Sequence, residues 1–199
     1  MHSIGLFAED VGHEAFLRPL IERLAASHGV DIILRTYSAR GGRGKVITEL
    51  GQFAKHIRAG DVDMPDALVV AIDANCKGYA ERKDQIDAAL GDLSSLAVYA
   101  VPDPHIERWM LLDASAFKTV LGKGCAAPDR KCEQDRYKRI LVECIRDAGR
   151  SPLVGGMEFA KSIVEQMKIE DVARIDDSFS KLAAGLKAKF SEWRRSRSK

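Results

Sequence analysis

The chain has 199 residues, 46% of them hydrophobic and 30% charged, with a net charge of +2. A chain of this length buries a core without metal or disulfide staples, and the balance excludes both a disordered segment and a uniform polycation. No apolar run approaches the roughly 20 residues of a membrane span. The first residues lack the basic and apolar regions of a secretory signal, so none is expected. Cys76, Cys125, Cys132 and Cys144 show no CxxC spacing, so reduced thiols and a cytoplasmic location are the expectation.

In chain order, Ser3 to Ala8 has the length and apolarity of a strand. Phe16, Leu17, Leu20, Ile21 and Leu24 then recur at helical spacing, predicting a helix from Glu14 to near Gly29. Val30 to Tyr37 reads as a second strand, and "SARGGRGKV" as a basic, glycine-rich turn. A second helix carries Ile47, Leu50, Phe53 and Ile57 and stops at Gly60. "DALVVAIDAN", Asp66 to Asn75, is continuously apolar until its polar end, as an inner parallel strand requires. Tyr79 to Leu90 is a charged helix. A strand from Ser94 is stopped by Pro102 and Pro104, and His105 to Val120 reads as one helix. Beyond a polar loop, strand signals fade, and Tyr137–Ala148, Gly156–Met167 and Asp176–Arg195 read as helices. The alternation predicts an α/β fold: a parallel β-sheet sandwiched by helices over residues 1–122, with a helical C-terminal extension, 123–199, packed on the same unit.

Function in open α/β sheets gathers beyond the carboxyl ends of the strands. The first strand ends in Glu9 and Asp10, and the third in Asp73 with Asn75 two residues on. Neighbouring strands lie ~5 Å apart, so side chains at adjacent tips can share one ion. Crowded carboxylates repel, and a hard divalent cation relieves them. Taken singly, each acid is an ordinary helix cap or solvated loop residue.

"AEDVGHEAFLRPL" resembles the first motif of TOPRIM domains, especially those of the overcoming-lysogenization-defect nucleases. "VVAIDAN" sits where the TOPRIM Asp-x-Asp follows a strand. "PDPHIERWMLLDASAF" resembles a motif of small stand-alone TOPRIM-like proteins of bacterial defence loci, often encoded beside an ATPase. The resemblance spans roughly Ile4 to Phe117 and implies a TOPRIM/Rossmann-like fold. It implies a Mg2+- or Mn2+-dependent nuclease acting on DNA or RNA, as a defence effector with an ATPase partner. Glu9 matches the TOPRIM glutamate, Asp73 the first acid of Asp-x-Asp, and Glu14 the second glutamate. Glu107 and Asp113 match the acids around the tryptophan. On this basis Glu9, Asp73 and Glu107 are catalytic candidates, and Glu9, Asp73, Asn75, Glu14 and Asp113 are candidate metal ligands. Two residues depart from the pattern. Asp10 stands where glycine is usual, and Asn75 replaces the second aspartate, removing a charge.

Arg40, Arg43 and Lys45 form a basic loop expected to bind nucleic acid at the rim of the acids. It is not a Walker A loop, because Val46 follows Lys45 and position 39 is alanine. His13, His28, His56 and His105 lack metal-binding spacing and read as capping or exposed histidines. Cys125 to Cys132 is not a zinc knuckle. Trp109 reads as core, and Leu182, Leu186, Phe190 and Trp193 as a face packing on the domain. Two other functions stay open: a catalytically weak TOPRIM-like subunit binding nucleic acid and an ATPase, and an unrelated α/β nucleotide-binding protein. Homo-oligomerisation also stays open.

Overall fold

The computed structural model describes residues 1–39 and 45–196. Strands β1 (His2–Ala8), β2 (Ile32–Ser38), β3 (Ala67–Ala71) and β4 (Ala97–Ala100) form one sheet in the order β2-β1-β3-β4, and every pairing is parallel. All five residues of β3 are buried, as its unbroken apolar run requires. Side chains alternate across the sheet. Ile4, Leu6 and Ala8 of β1, with Val69 and Ala71 of β3, enter the larger core; Phe7, Leu68 and Val70 enter the smaller one.

Helix α1 (Val11–Ser27) lines the larger core, and α2 (Val46–Ala59) and α3 (Tyr79–Leu90) line the smaller. Gly60 ends α2 at φ 81°, a conformation that glycine adopts without strain. The helix expected over His105–Val120 is instead two, α4 (Ile106–Leu111) and α5 (Ala114–Leu121). Asp113 divides them. Its Oδ1 accepts the N–H groups of Ser115 (3.0 Å) and Ala116 (2.9 Å), and its Oδ2 accepts the N–H of Lys168 (2.7 Å).

The last third supplies α6 (Arg136–Asp147), α7 (Ala160–Gln166), α8 (Ile169–Ile175) and α9 (Asp177–Ser196). The expected helix over Gly156–Met167 opens as a 3-10 turn, Met157–Phe159, and α8 was not anticipated. Helix α7 packs on α1 and α9 on β4. Leu182, Leu186, Phe190 and Trp193 are buried there. Trp109 is fully buried, its ring 5.3 Å from Phe179 and 6.0 Å from Phe16. One hydrophobic cluster therefore joins α1, α4 and α9.

The expectation of free thiols is corrected. Cys76 is bonded to Cys132 and Cys125 to Cys144. Linear spacing is blind to this, because the fold brings the paired Cα atoms to 5.3 and 5.7 Å. By loop-closure entropy each bond stabilises the fold by about 3–4 kcal/mol. Non-reducing peptide mapping should recover these two linkages; free thiols at all four positions would contradict the pairing.

The cap role of Asp113 makes a second prediction. Asp113→Ala should cost about 1–2 kcal/mol in denaturant unfolding, the usual loss of a helix cap. Affinity for divalent metal should not change. A loss of metal binding without a loss of stability would return Asp113 to the metal site.

Candidate metal centre

Ala8 and Ala71, the last residues of β1 and β3, are paired in register, and Glu9 N–H donates to Ala71 O at 2.8 Å. From β1 the chain first turns to β2 on one side, then crosses to β3 on the other. The gap between the two tips is therefore the topological switch point of the sheet, where such folds bind ligands.

Glu9, His13 and Asp73 meet there. Each offers a ligand atom, and these atoms lie within 4.8 Å of one another. All three residues are buried, His13 completely. Glu9 Oε2 accepts the Asp73 N–H at 2.9 Å, which ties the first tip to the second. Asp73 Oδ1 accepts from Ile106 N–H (2.9 Å) and from His13 Nε2 (3.1 Å), while Oδ2 accepts from His105 Nδ1 (3.1 Å).

Asp10 has two tasks. As the cap of α1 its Oδ1 accepts the N–H groups of Gly12 (2.9 Å) and His13 (3.0 Å). The same oxygen accepts from His13 Nδ1 at 2.8 Å. Both imidazole nitrogens of His13 thus face carboxylates, so both carry protons in the metal-free protein. Burial alone would lower the His13 pKa; the charge of Asp73 and the hydrogen bond to Asp10 instead raise it well above 6.5. Burial would raise Asp73, but the charge of His13 and the His105 hydrogen bond hold it below the ordinary carboxylate value. Asp10 is likewise held low by His13, against its own desolvation. Glu9 moves the other way, raised by burial and then by the Asp73 charge. Glu107 is raised by the same two causes.

The donor set fits a divalent cation. Asp10 fixes the imidazole through Nδ1 and leaves Nε2 turned toward Glu9 and Asp73, the arrangement in which a carboxylate orients a metal-binding histidine. One imidazole and two carboxylates suit Mn2+ better than Mg2+, which prefers oxygen ligands alone.

Some expected residues are elsewhere. Glu14 points away from the cluster, 3.2 Å from Arg18 on the next turn of α1. Asp113 serves as the α5 cap and does not join the cluster. Asn75 adopts φ 47°, and its amide donates back to Asp73 O at 3.4 Å. Glu107 shares a cavity with Asp10 beside the cluster. Arg40 and Arg43 lie outside the described residues. Lys45 is exposed ahead of α2, and the chain leaves β2 beside the β1 tip, where Ala39 N–H donates to Ala8 O at 2.9 Å.

His13 and His105 are buried, which corrects the reading of them as exposed; His105 stands at the N-cap position of α4, without a side-chain cap hydrogen bond. The signal in the sequence was position: His13 lies three residues after Asp10, one helical turn on, at the start of the helix that follows the strand. No protein-family model, curated protein or solved structure matches this chain. No helix among the described residues is long and apolar enough to cross a membrane.

The charge pattern predicts a pH dependence for the metal-free protein. A raised folded pKa means that His13 contributes stability below its ordinary 6.5 and loses it as pH climbs through the folded value. Asp10 and Asp73, with depressed values, contribute above their ordinary 3.8 and lose it in acid. In a chelator, the melting temperature should therefore fall as pH rises above neutrality, and His13→Gln should flatten that fall. A wild-type melting temperature constant across the alkaline range would contradict an imidazolium held between the two aspartates.

Proposed function

We propose that this chain is a metal-dependent phosphodiesterase of the nuclease type. The observation that carries the reading is the convergence of buried Glu9, His13 and Asp73 at the switch point, with Asp10 orienting the histidine. Glu9, His13 Nε2 and Asp73 would hold the cation. When bound, it supplies charge for a phosphate oxygen and lowers the pKa of a water. Asp10 keeps the His13 ring fixed. Ile106 N–H and His105 fix the Asp73 carboxylate, so little reorganisation is required of it. Glu107, with a raised pKa and a place on the adjoining cavity, is the residue suited to carry a proton to or from the reacting ester. A single cation is favoured, because Asn75 replaces a charged ligand and its amide turns back to the Asp73 carbonyl. The substrate is DNA or RNA, and an ATPase remains the proposed partner on the resemblance of the motifs.

Asn75 also favours a second reading, a subunit that binds metal and nucleic acid with little catalysis of its own. Purified protein should cleave oligonucleotides with Mn2+ and less well with Mg2+. Glu9→Gln and Asp73→Asn should each abolish cleavage while leaving the fold intact. Asp10→Asn should weaken metal binding by about 10–100-fold, the usual cost of removing such an orienting partner. Metal binding without cleavage, unrescued by Asn75→Asp or by the ATPase, would leave the second reading in place.

A further inference from the structure

Two cavities of about 180 and 360 Å³, beside the candidate metal centre, follow the first turns of α1 and share the lining residues Val11 and Met157, so they are taken together as the two halves of one groove. Asp10, Glu107 and Lys138 line the first; Arg18 and Lys161 line the second. We propose that this groove binds a short unpaired stretch of nucleic acid next to the cleavage site, a proposal that rests on the phosphodiesterase reading.

The groove is built in advance of any ligand. The Glu158 carboxylate accepts the N–H groups of Leu153 (2.7 Å), Val154 (3.0 Å) and Gly156 (3.1 Å), which fixes the turn forming one wall. Gly156 sits at φ 94°, and a Cβ there would come within 2.4 Å of Ile145 Cδ1, so the turn lies directly on α6. The Lys138 stem crosses Gly155, where a Cβ would lie 3.3 Å from its Cε.

Its chemistry is two-sided. Lys138 and Lys161 form no ion pair among the described residues, which leaves one unpaired ammonium for each half of the groove. Of the acids in the lining, Glu14 is paired with Arg18, Asp10 with His13, and Glu158 with three backbone N–H groups, which leaves Glu107 facing the first half. Apolar groups line the same cavities: Val11, 65% exposed, and the buried Met157 line both, and Val154, 55% exposed, lines the first. Ammonium groups recognise phosphates of any strand. An apolar wall recognises bases only when they are unpaired, because a duplex turns them inward. The combination therefore selects a single strand. Since the groove is formed by α1, α4, α6, the turn before α7 and α7 itself through Lys161, the C-terminal third would supply substrate contacts as well as packing.

Fluorescence polarisation with a labelled oligothymidylate, alone and paired with oligoadenylate, tests this across a salt series in EDTA, where metal-dependent cleavage is suppressed. The single strand should bind more tightly than the duplex. Lys138→Ala and Lys161→Ala should each weaken binding, and each should reduce the log–log salt slope by about 0.7, the value for one single-strand phosphate contact. Val11→Ser should weaken binding without changing the slope. Equal affinity for duplex, an unchanged slope in both lysine variants, or no binding by the wild type overturns the groove. Lysine-dependent binding without Mn2+ cleavage would keep the groove and discard the reaction. Cleavage with unaltered KM in both lysine variants would do the reverse.

Discussion

The imidazole of His13, held between Asp10 and Asp73, is the interaction on which the site depends. Parallel pairing puts the tips of β1 and β3 side by side and delivers Glu9 and Asp73 to one buried spot. Two carboxylates in such a place are costly unless compensated. In the metal-free protein His13 compensates them, with His105 and the Ile106 N–H completing the shell of Asp73. Compensation is incomplete at Glu9, which burial and then the Asp73 charge push above the ordinary carboxylate value. A divalent cation held by Glu9, His13 and Asp73 would relieve both groups.

The helices follow from the same geometry. Asp10 caps α1 and clamps His13 with one oxygen, so the turn that starts the helix also sets the ring. Asp10, one of the two residues that depart from the motif the sequence resembles, is therefore the one that orients the histidine. Asp73 reaches further. It accepts from the first N–H of α4, and α4 carries Glu107 on its first turn and Trp109 into the core. Through Trp109, whose indole N–H donates to Ser178 Oγ at 3.2 Å, the site is joined to the start of α9.

Much of this was legible in sequence. The unbroken apolar run of β3 and the βα alternation determine a parallel sheet, because only such a strand is covered on both faces. The acids at two strand ends marked the place where the structure gathers Glu9, Asp73 and His13, because β1 and β3 pair. What sequence could not supply was rotation about a helix. His13 and Glu14 are adjacent, yet one turns inward to the cluster and the other outward to Arg18. The motif resemblance points to Glu14, whereas the geometry gathers His13 with Glu9 and Asp73. Asp113 caps α5 for a reason the sequence does not show: an aspartate in a ligand motif and an aspartate capping a helix are alike until the next N–H groups are placed. The cysteine pairs, separated by 56 and 19 residues, depend wholly on tertiary approach.

The most direct test asks what touches the metal. Electron spin echo envelope modulation of the Mn2+-loaded protein reports nitrogen bound to the ion. A coordinated imidazole nitrogen, present in the wild type and in His105→Gln but lost in His13→Gln, is the predicted result. A spectrum with oxygen ligands alone, or a nitrogen signal that survives His13→Gln, would contradict the assignment of the centre.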